Sequence, residues 1–173
     1  MLEKNINSPV TSSCGRLFDG ISAIIGIKQH ANFEAQAAME LEFAADDFDT
    51  NDYFAFSIDE NDGSLVFNWH QMVKDIVKLV KAGTPAGLIS ANFHNTLAEV
   101  IVQFAERLNI EKVLLTGGCF MNKYLLESSI NRLKAAGDLD IKNIVLSGTK
   151  VRLRPVLMTA LVASLGFLPM ALS

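Results

Sequence analysis

Apolar residues recur along the chain with two periods, and the change from one to the other marks out its elements. From Gly15 onward, Leu17, Phe18, Ile21, Ile24 and Ile25 fall at helical spacing, and Gly26 supplies a stop. A second helix is expected over 33–45, with Phe33, Ala37, Leu41 and Ala44 on one stripe and Glu34, Glu40 and Glu42 toward solvent. An acidic loop, 46–52, follows. Residues 53–58 (YFAFSI) and 64–69 then read as two strands of a hairpin, with its turn over 60–63. Over 69–81, Met72, Val73, Ile76, Val77 and Val80 oppose Lys74, Asp75, Lys78 and Lys81, an amphipathic helix ended by Gly83-Thr84-Pro85. A longer helix is expected over 86–108. The run 112–116 (KVLLT) is short and apolar, as in a buried strand. It passes into Gly117-Gly118, a helix over 120–135 and a strand over 141–146. This mixed order predicts an α/β fold. Its closing strand–Gly-Gly–helix–strand unit is a crossover of the nucleotide-binding kind.

With 173 residues, 50% of them hydrophobic and 20% charged, the chain is long enough for one domain with a buried core. A net charge of −4 and the absence of any basic run argue against nucleic acid as the main partner. His30, His70 and His94 show no metal-ligand spacing. Cys14 and Cys119 are too few for a disulfide framework and read as free thiols of a reducing cytoplasm. The N-terminal residues show no apolar stretch of signal-peptide type, so a cytoplasmic protein is expected. One segment disturbs that picture. Residues 156–173 carry no charge over eighteen positions and follow Lys150, Arg152 and Arg154. A membrane span, an irregular helix laid on the core and an out-of-frame tail are the three readings of it.

Four places carry candidate chemistry, each with a plainer alternative. Residues 113–122 (VLLTGGCFMN) take a strand through two glycines into a helix start. Bare backbone and free N–H groups there suit a flat or anionic ligand, and Asn122 can donate and accept. The plainer reading of Gly117-Gly118 is tight packing. In residues 8–19 (SPVTSSCGRLFD), hydroxyls, a glycine and an Arg16–Asp19 pair crowd together; alternatively Ser13 caps a helix and Arg16 pairs with Asp19 on its surface. Glu34 and Gln36 in FEAQAAME stand at a helix start. His94 in FHNTLA lies inside a helical pattern, where a lone histidine is commonly structural.

Taken together and in order, SPVTSSCGRLFDGISAIIGI, FEAQAAMELE, FHNTLAEVIVQFAERLNIEKVLLTGGCFMN and LLESSINRL resemble the C-terminal region of HypF carbamoyltransferases. The resemblance implies the C-terminal lobe of an actin/hexokinase/Hsp70-like (ASKHA) nucleotide-binding domain, incomplete and spanning 1–148. Residues 149–173 form an atypical apolar tail outside the family pattern. It implies ATP or carbamoyl adenylate as ligand of the intact enzyme, with a divalent metal. It also implies transfer of the carbamoyl group to the C-terminal cysteine of HypE in [NiFe]-hydrogenase maturation. Carried over by position, Asp19, Gly117, Gly118 and Asn122 face the ligand, with Ser12, Ser13, Gly15, Arg16 and Glu34 as secondary candidates. The departures are definite. Ala35 stands where the family has glycine, no His-x-x-x-His pair occurs, and no aspartate follows Asp140. A lobe inactive alone, self-associating through an uncovered face, is therefore expected. A TsaD-like or TobZ-like carbamoyltransferase lobe and a non-catalytic HypE-docking module are the alternatives.

Overall fold

The computed structural model describes residues 11–110 and 112–137, which form helices and one two-stranded sheet. Five helices run α1 (Cys14–Ile24), α2 (Gln36–Ala45), α3 (His70–Lys81), α4 (Ala86–Arg107) and α5 (Lys123–Ala136). The hairpin β1 (Ser57–Asn61) and β2 (Ser64–Asn68) lies between α2 and α3, and a short 3-10 helix, Gly118–Met121, precedes α5. The α/β character is as expected. The strand expected over 141–146 and the apolar tail lie outside the described residues. No helix among the described residues is long and apolar enough to cross a membrane.

The core follows from the helical periods. Phe18 and Ile21 of α1, Leu41 of α2, Met72 and Ile76 of α3, and Ile89, Phe93 and Leu97 of α4 make one cluster with Phe54 and Leu125. Phe18 meets Phe93 edge to face, with ring centroids 5.1 Å apart, the arrangement the ring quadrupoles favour. A smaller cluster of Val102, Ala105 and Leu133 joins α4 to α5. α4 is therefore the central element, buried on most of its surface. It crosses α2 very closely at Gly87, where a Cβ would run into the Ala44 carbonyl oxygen and the Phe48 ring.

Three local readings shift. The first strand begins at Ser57, not Tyr53, because Phe54 is drawn into the core and its N–H is taken by Thr96 Oγ1 at 2.9 Å. The turn is the two-residue pair Asp62-Gly63, both with positive φ (49° and 72°), and pairs Asn61 with Ser64. That backbone matches the strand twist and fixes the register, setting Ile58 opposite Phe67. Residues 112–116 form no strand: among the described residues no neighbour pairs with them. Their burial still alternates, with Val113 and Leu115 packed on the smaller cluster and Leu114 exposed. α2 begins at Gln36, leaving Phe33 exposed, and its N-cap Ala35 has φ 64°, a left-handed conformation that suits glycine.

Candidate functional site

The sequence motifs at either end of the described chain come together. α1 lies against the 3-10 helix, and Cys119 and Phe120 pack on the cluster that holds Phe18. The SSCGRLFD and GGCFMN segments thus lie side by side. On the first, Arg16 and Asp19 pair at 2.9 Å on the surface of α1. Ser13 occupies the N-cap position without a side-chain capping bond; its N–H donates to Thr11 Oγ1 at 3.1 Å. Ser12 is exposed and Gly15 half-buried. Glu34 is exposed in the turn before α2.

On the second segment, Gly117 has φ 102° and ψ 172°, a conformation open in practice only to glycine. A Cβ built on Gly117 or on Gly118 meets nothing within 4 Å among the described residues, so no described neighbour presses on either glycine. Both positions are open among the described residues. Immediately below the Gly-Gly turn, Asn122 points inward and is buried. Its Oδ1 accepts the Leu125 N–H at 2.8 Å, capping α5, and its Nδ2 donates to His94 Nε2 at 2.9 Å. One Asn122 N–H is left over.

His94 completes the support. Its Nδ1–H donates to the Ser90 carbonyl at 2.8 Å, which fixes the tautomer and leaves Nε2 free to accept from Asn122. Ser90 Oγ in turn donates to the Leu41 carbonyl at 2.7 Å. The imidazole is wholly buried among Phe18, Phe93 and Tyr124. Burial lowers its pKa to about 4, against the smaller upward pull of the Ser90 carbonyl, so it is neutral at physiological pH. It is a structural histidine, tying α4 to the start of α5.

Two further groups anchor the region, of which only Gln36 stands in a segment singled out in the sequence. Asn95 Nδ2 donates to the Thr50 carbonyl and Asn95 Oδ1 accepts from Ser128 Oγ at 2.8 Å, clamping the acidic loop to α4 and α5. Gln36 binds the Asn32 N–H at 2.7 Å and donates to Glu40, whose carboxylate also pairs with Lys28 at 3.0 Å. Among the described residues, no three His, Cys, Asp or Glu side chains gather as metal ligands.

An α/β unit whose two motif-bearing segments meet beneath an open glycine turn is a subdomain of the carbamoyltransferase class: the family model described as "Carbamoyltransferase, Kae1-like Domain, second subdomain" matches residues 1–147. The chain belongs to this HypF family. It is 42% identical over 130 residues to Carbamoyltransferase HypF of Synechocystis, covering 75% of this chain and 17% of that protein. A crystal structure of full-length HypF in its phosphate- and nucleotide-bound form superposes with a TM-score of 0.73 at 34% identity, over 78% of this chain and 18% of that one. A shorter likeness of another kind is to Protein HelA of Legionella pneumophila, 49% identical over 61 residues, which is 35% of this chain and 6% of that protein. The chain thus spans about a fifth of the length of the HypF proteins it matches.

Proposed function

We propose that this chain forms one wall of the carbamoyl-transfer site of a HypF-type carbamoyltransferase, within an ASKHA-type nucleotide-binding domain. ATP or carbamoyl adenylate lies over Gly117-Gly118, where the backbone is bare. Asp19 and Arg16 stand at its edge with Ser12, Ser13 and Gly15, Glu34 is more distant, and Asn122 supports the turn from within through its cap on α5 and its bond to His94. The group accepting carbamoyl is the C-terminal cysteine of HypE, in the cytoplasm. A divalent metal, held by residues outside the described set, belongs to the intact enzyme. This chain alone is inactive.

The observation that carries the reading is that both positions of the glycine turn are open among the described residues. A turn built for packing would bring atoms against those Cβ positions; a turn built for a ligand leaves them free. The nucleotide-bound form of the HypF crystal structure lends support at 34% identity. The TsaD-like and TobZ-like alternatives share this site and differ in the acceptor.

Isothermal titration of the chain with ATP and with a non-hydrolysable carbamoyl-adenylate analogue, magnesium present, tests the proposal. Binding should weaken at least about tenfold, or about 1.4 kcal/mol, in Gly118→Ala and in Asp19→Ala. Gly118→Ala should leave the thermal midpoint unchanged, because its methyl meets no atom of the described residues. Equal binding by Gly118→Ala and the unsubstituted chain would sink the placement of the ligand.

A further inference from the structure

His94 sits in the middle of a hydrogen-bonded chain whose direction is fixed at both ends. At one end the Ser90 carbonyl oxygen can only accept, so His94 Nδ1 carries the proton, 2.8 Å away. At the other end the Leu125 N–H can only donate, so Asn122 turns Oδ1 to it at 2.8 Å and Nδ2 toward the imidazole. The two meet at 2.9 Å, with Asn122 Nδ2–H donating to the lone pair of His94 Nε2. A proton on Nε2 would set two donors against each other. Asn122 could relieve that by turning its amide over, but Nδ2 would then face the Leu125 N–H and the cap on α5 would be lost. Ring and amide therefore hold each other in one orientation. Both are buried, where loss of either partner leaves a polar group unmatched.

The Gly-Gly turn is joined to Asn122 through the 3-10 helix Gly118–Met121 alone. The Phe120 N–H donates to the Gly117 carbonyl at 3.2 Å, and the Asn122 N–H to the Cys119 carbonyl at 3.3 Å. So short a run of tight turns has little slack. The placement of the Asn122 side chain is thereby passed to the backbone of Gly117 and Gly118. Among the described residues nothing presses on the two glycines from their open side, so what fixes them lies on the Asn122 side.

We propose that His94 is a positioning residue for ligand binding: through Asn122 it sets the backbone of the Gly117-Gly118 turn, without touching the ligand itself. The inference rests on the reading that an adenine nucleotide lies over that turn. A ligand held by bare backbone N–H groups needs them at set angles, because hydrogen bonds weaken steeply when bent. A surface side chain can swing to follow a ligand, whereas a backbone amide depends on what stands behind it. Here that support is a buried acceptor on α4, the central helix. The chemistry required at position 94 is narrow. It is an acceptor at the place of Nε2 on a group that fits between Phe18, Phe93 and Tyr124. Glutamine supplies an acceptor oxygen at that reach, while phenylalanine keeps the ring and supplies none.

The test compares the full chain with His94→Phe, His94→Gln and Asn122→Ser, by amide NMR and by titration with ATP and magnesium. Asn122→Ser keeps a hydroxyl for the Leu125 N–H but is too short to reach His94, so it breaks the same bond from the other side should His94→Phe fail to fold. The Gly117 and Gly118 amide resonances should move in His94→Phe and in Asn122→Ser, and return close to their original positions in His94→Gln. The dissociation constant for ATP should rise at least about tenfold in the first two, as for loss of a buried hydrogen bond. In His94→Gln it should come back to within about twofold. Unmoved glycine resonances, or unchanged ATP affinity, in a folded His94→Phe or in Asn122→Ser would overturn the proposal. So would a loss in His94→Gln as large as in His94→Phe, since the acceptor would then be irrelevant. An unsubstituted chain that binds no ATP would overturn the underlying reading instead, and the glycine resonances alone would decide whether His94 sets the turn.

Discussion

At the scale of single residues, His94 bears the largest electrostatic consequence. Its folded pKa, about 4, lies below the ordinary 6.5, so the unfolded chain binds the proton more readily. Stability from this group is fully present above pH 6.5 and is lost as the pH falls from there through about 4. The difference is on the order of 3 kcal/mol at most, since a tenfold change in proton affinity is worth about 1.4 kcal/mol. The unsubstituted chain should therefore lose thermal midpoint steadily between pH 6.5 and 4. His94→Gln, less stable at neutral pH, should show a much flatter dependence across the same window. Parallel pH dependences for the two proteins would show that His94 is not the titrating group. Glu40 and Asp75, whose carboxylates are held below their ordinary range by Lys28 and Lys78, add their losses nearer the acid end. Of this, the sequence makes legible only a structural histidine in a helix. The bonds that make His94 structural run to Ser90, one turn away, and to Asn122, far along the chain. The position of Asn122 after two glycines reads as ligand-facing, and its inward role depends on a tertiary contact that spacing does not reveal.

At the scale of elements, the helices are the legible part. α3 is found where Met72 and Ile76 alternate with lysines, and α4 where the apolar run is longest. Both ends of the hairpin are less legible, because Phe54 reads as a strand residue and is captured by Thr96 instead. The 112–116 run reads as a strand from its apolar content, but a strand needs a neighbour to hydrogen-bond with, which a single segment cannot encode. The crossing of α2 and α4 is silent in the sequence, since Gly87 near a helix start looks like a poor helix former and nothing more. The structure makes it a point of very close packing, with backbone on one side and the Phe48 ring on the other. Gly87→Ala should cost about 2–4 kcal/mol, because a carbonyl oxygen cannot rotate aside and the helices must separate. Chemical denaturation would measure it. A loss below about 0.5 kcal/mol, the range of ordinary surface changes, would mean that the helices have room for the methyl group.

At the scale of the whole molecule, the family likeness and the exposed surface bear on one another. The family match ends at residue 147, and the HypF relatives are about five times longer than the stretch they share with this chain. Leu114 and Met121 flank the Gly-Gly turn and are 58% and 80% exposed. Phe33 and Phe43 are similarly open. Apolar side chains of this size left open on a surface favour association. The isolated chain should accordingly self-associate as its concentration rises. Met121→Lys together with Leu114→Lys should shift sedimentation-velocity profiles toward monomer. A sedimentation coefficient independent of concentration, in the unsubstituted chain, would remove self-association from the account. The α/β class and the two candidate ligand-facing segments can be read from the sequence, since both segments are short contiguous motifs. Their meeting cannot, because it is a product of how α1 and the 3-10 helix pack on the common core.

The left-handed backbone at Ala35 has a meaning in the language of codons. Alanine and glycine codons differ by a single base at the second position. The strain that a methyl group brings to the start of α2 is thus one point mutation from relief, at a position whose side chain is exposed. For anyone seeking a hardier form of this chain by random mutagenesis, that codon is among the shortest routes.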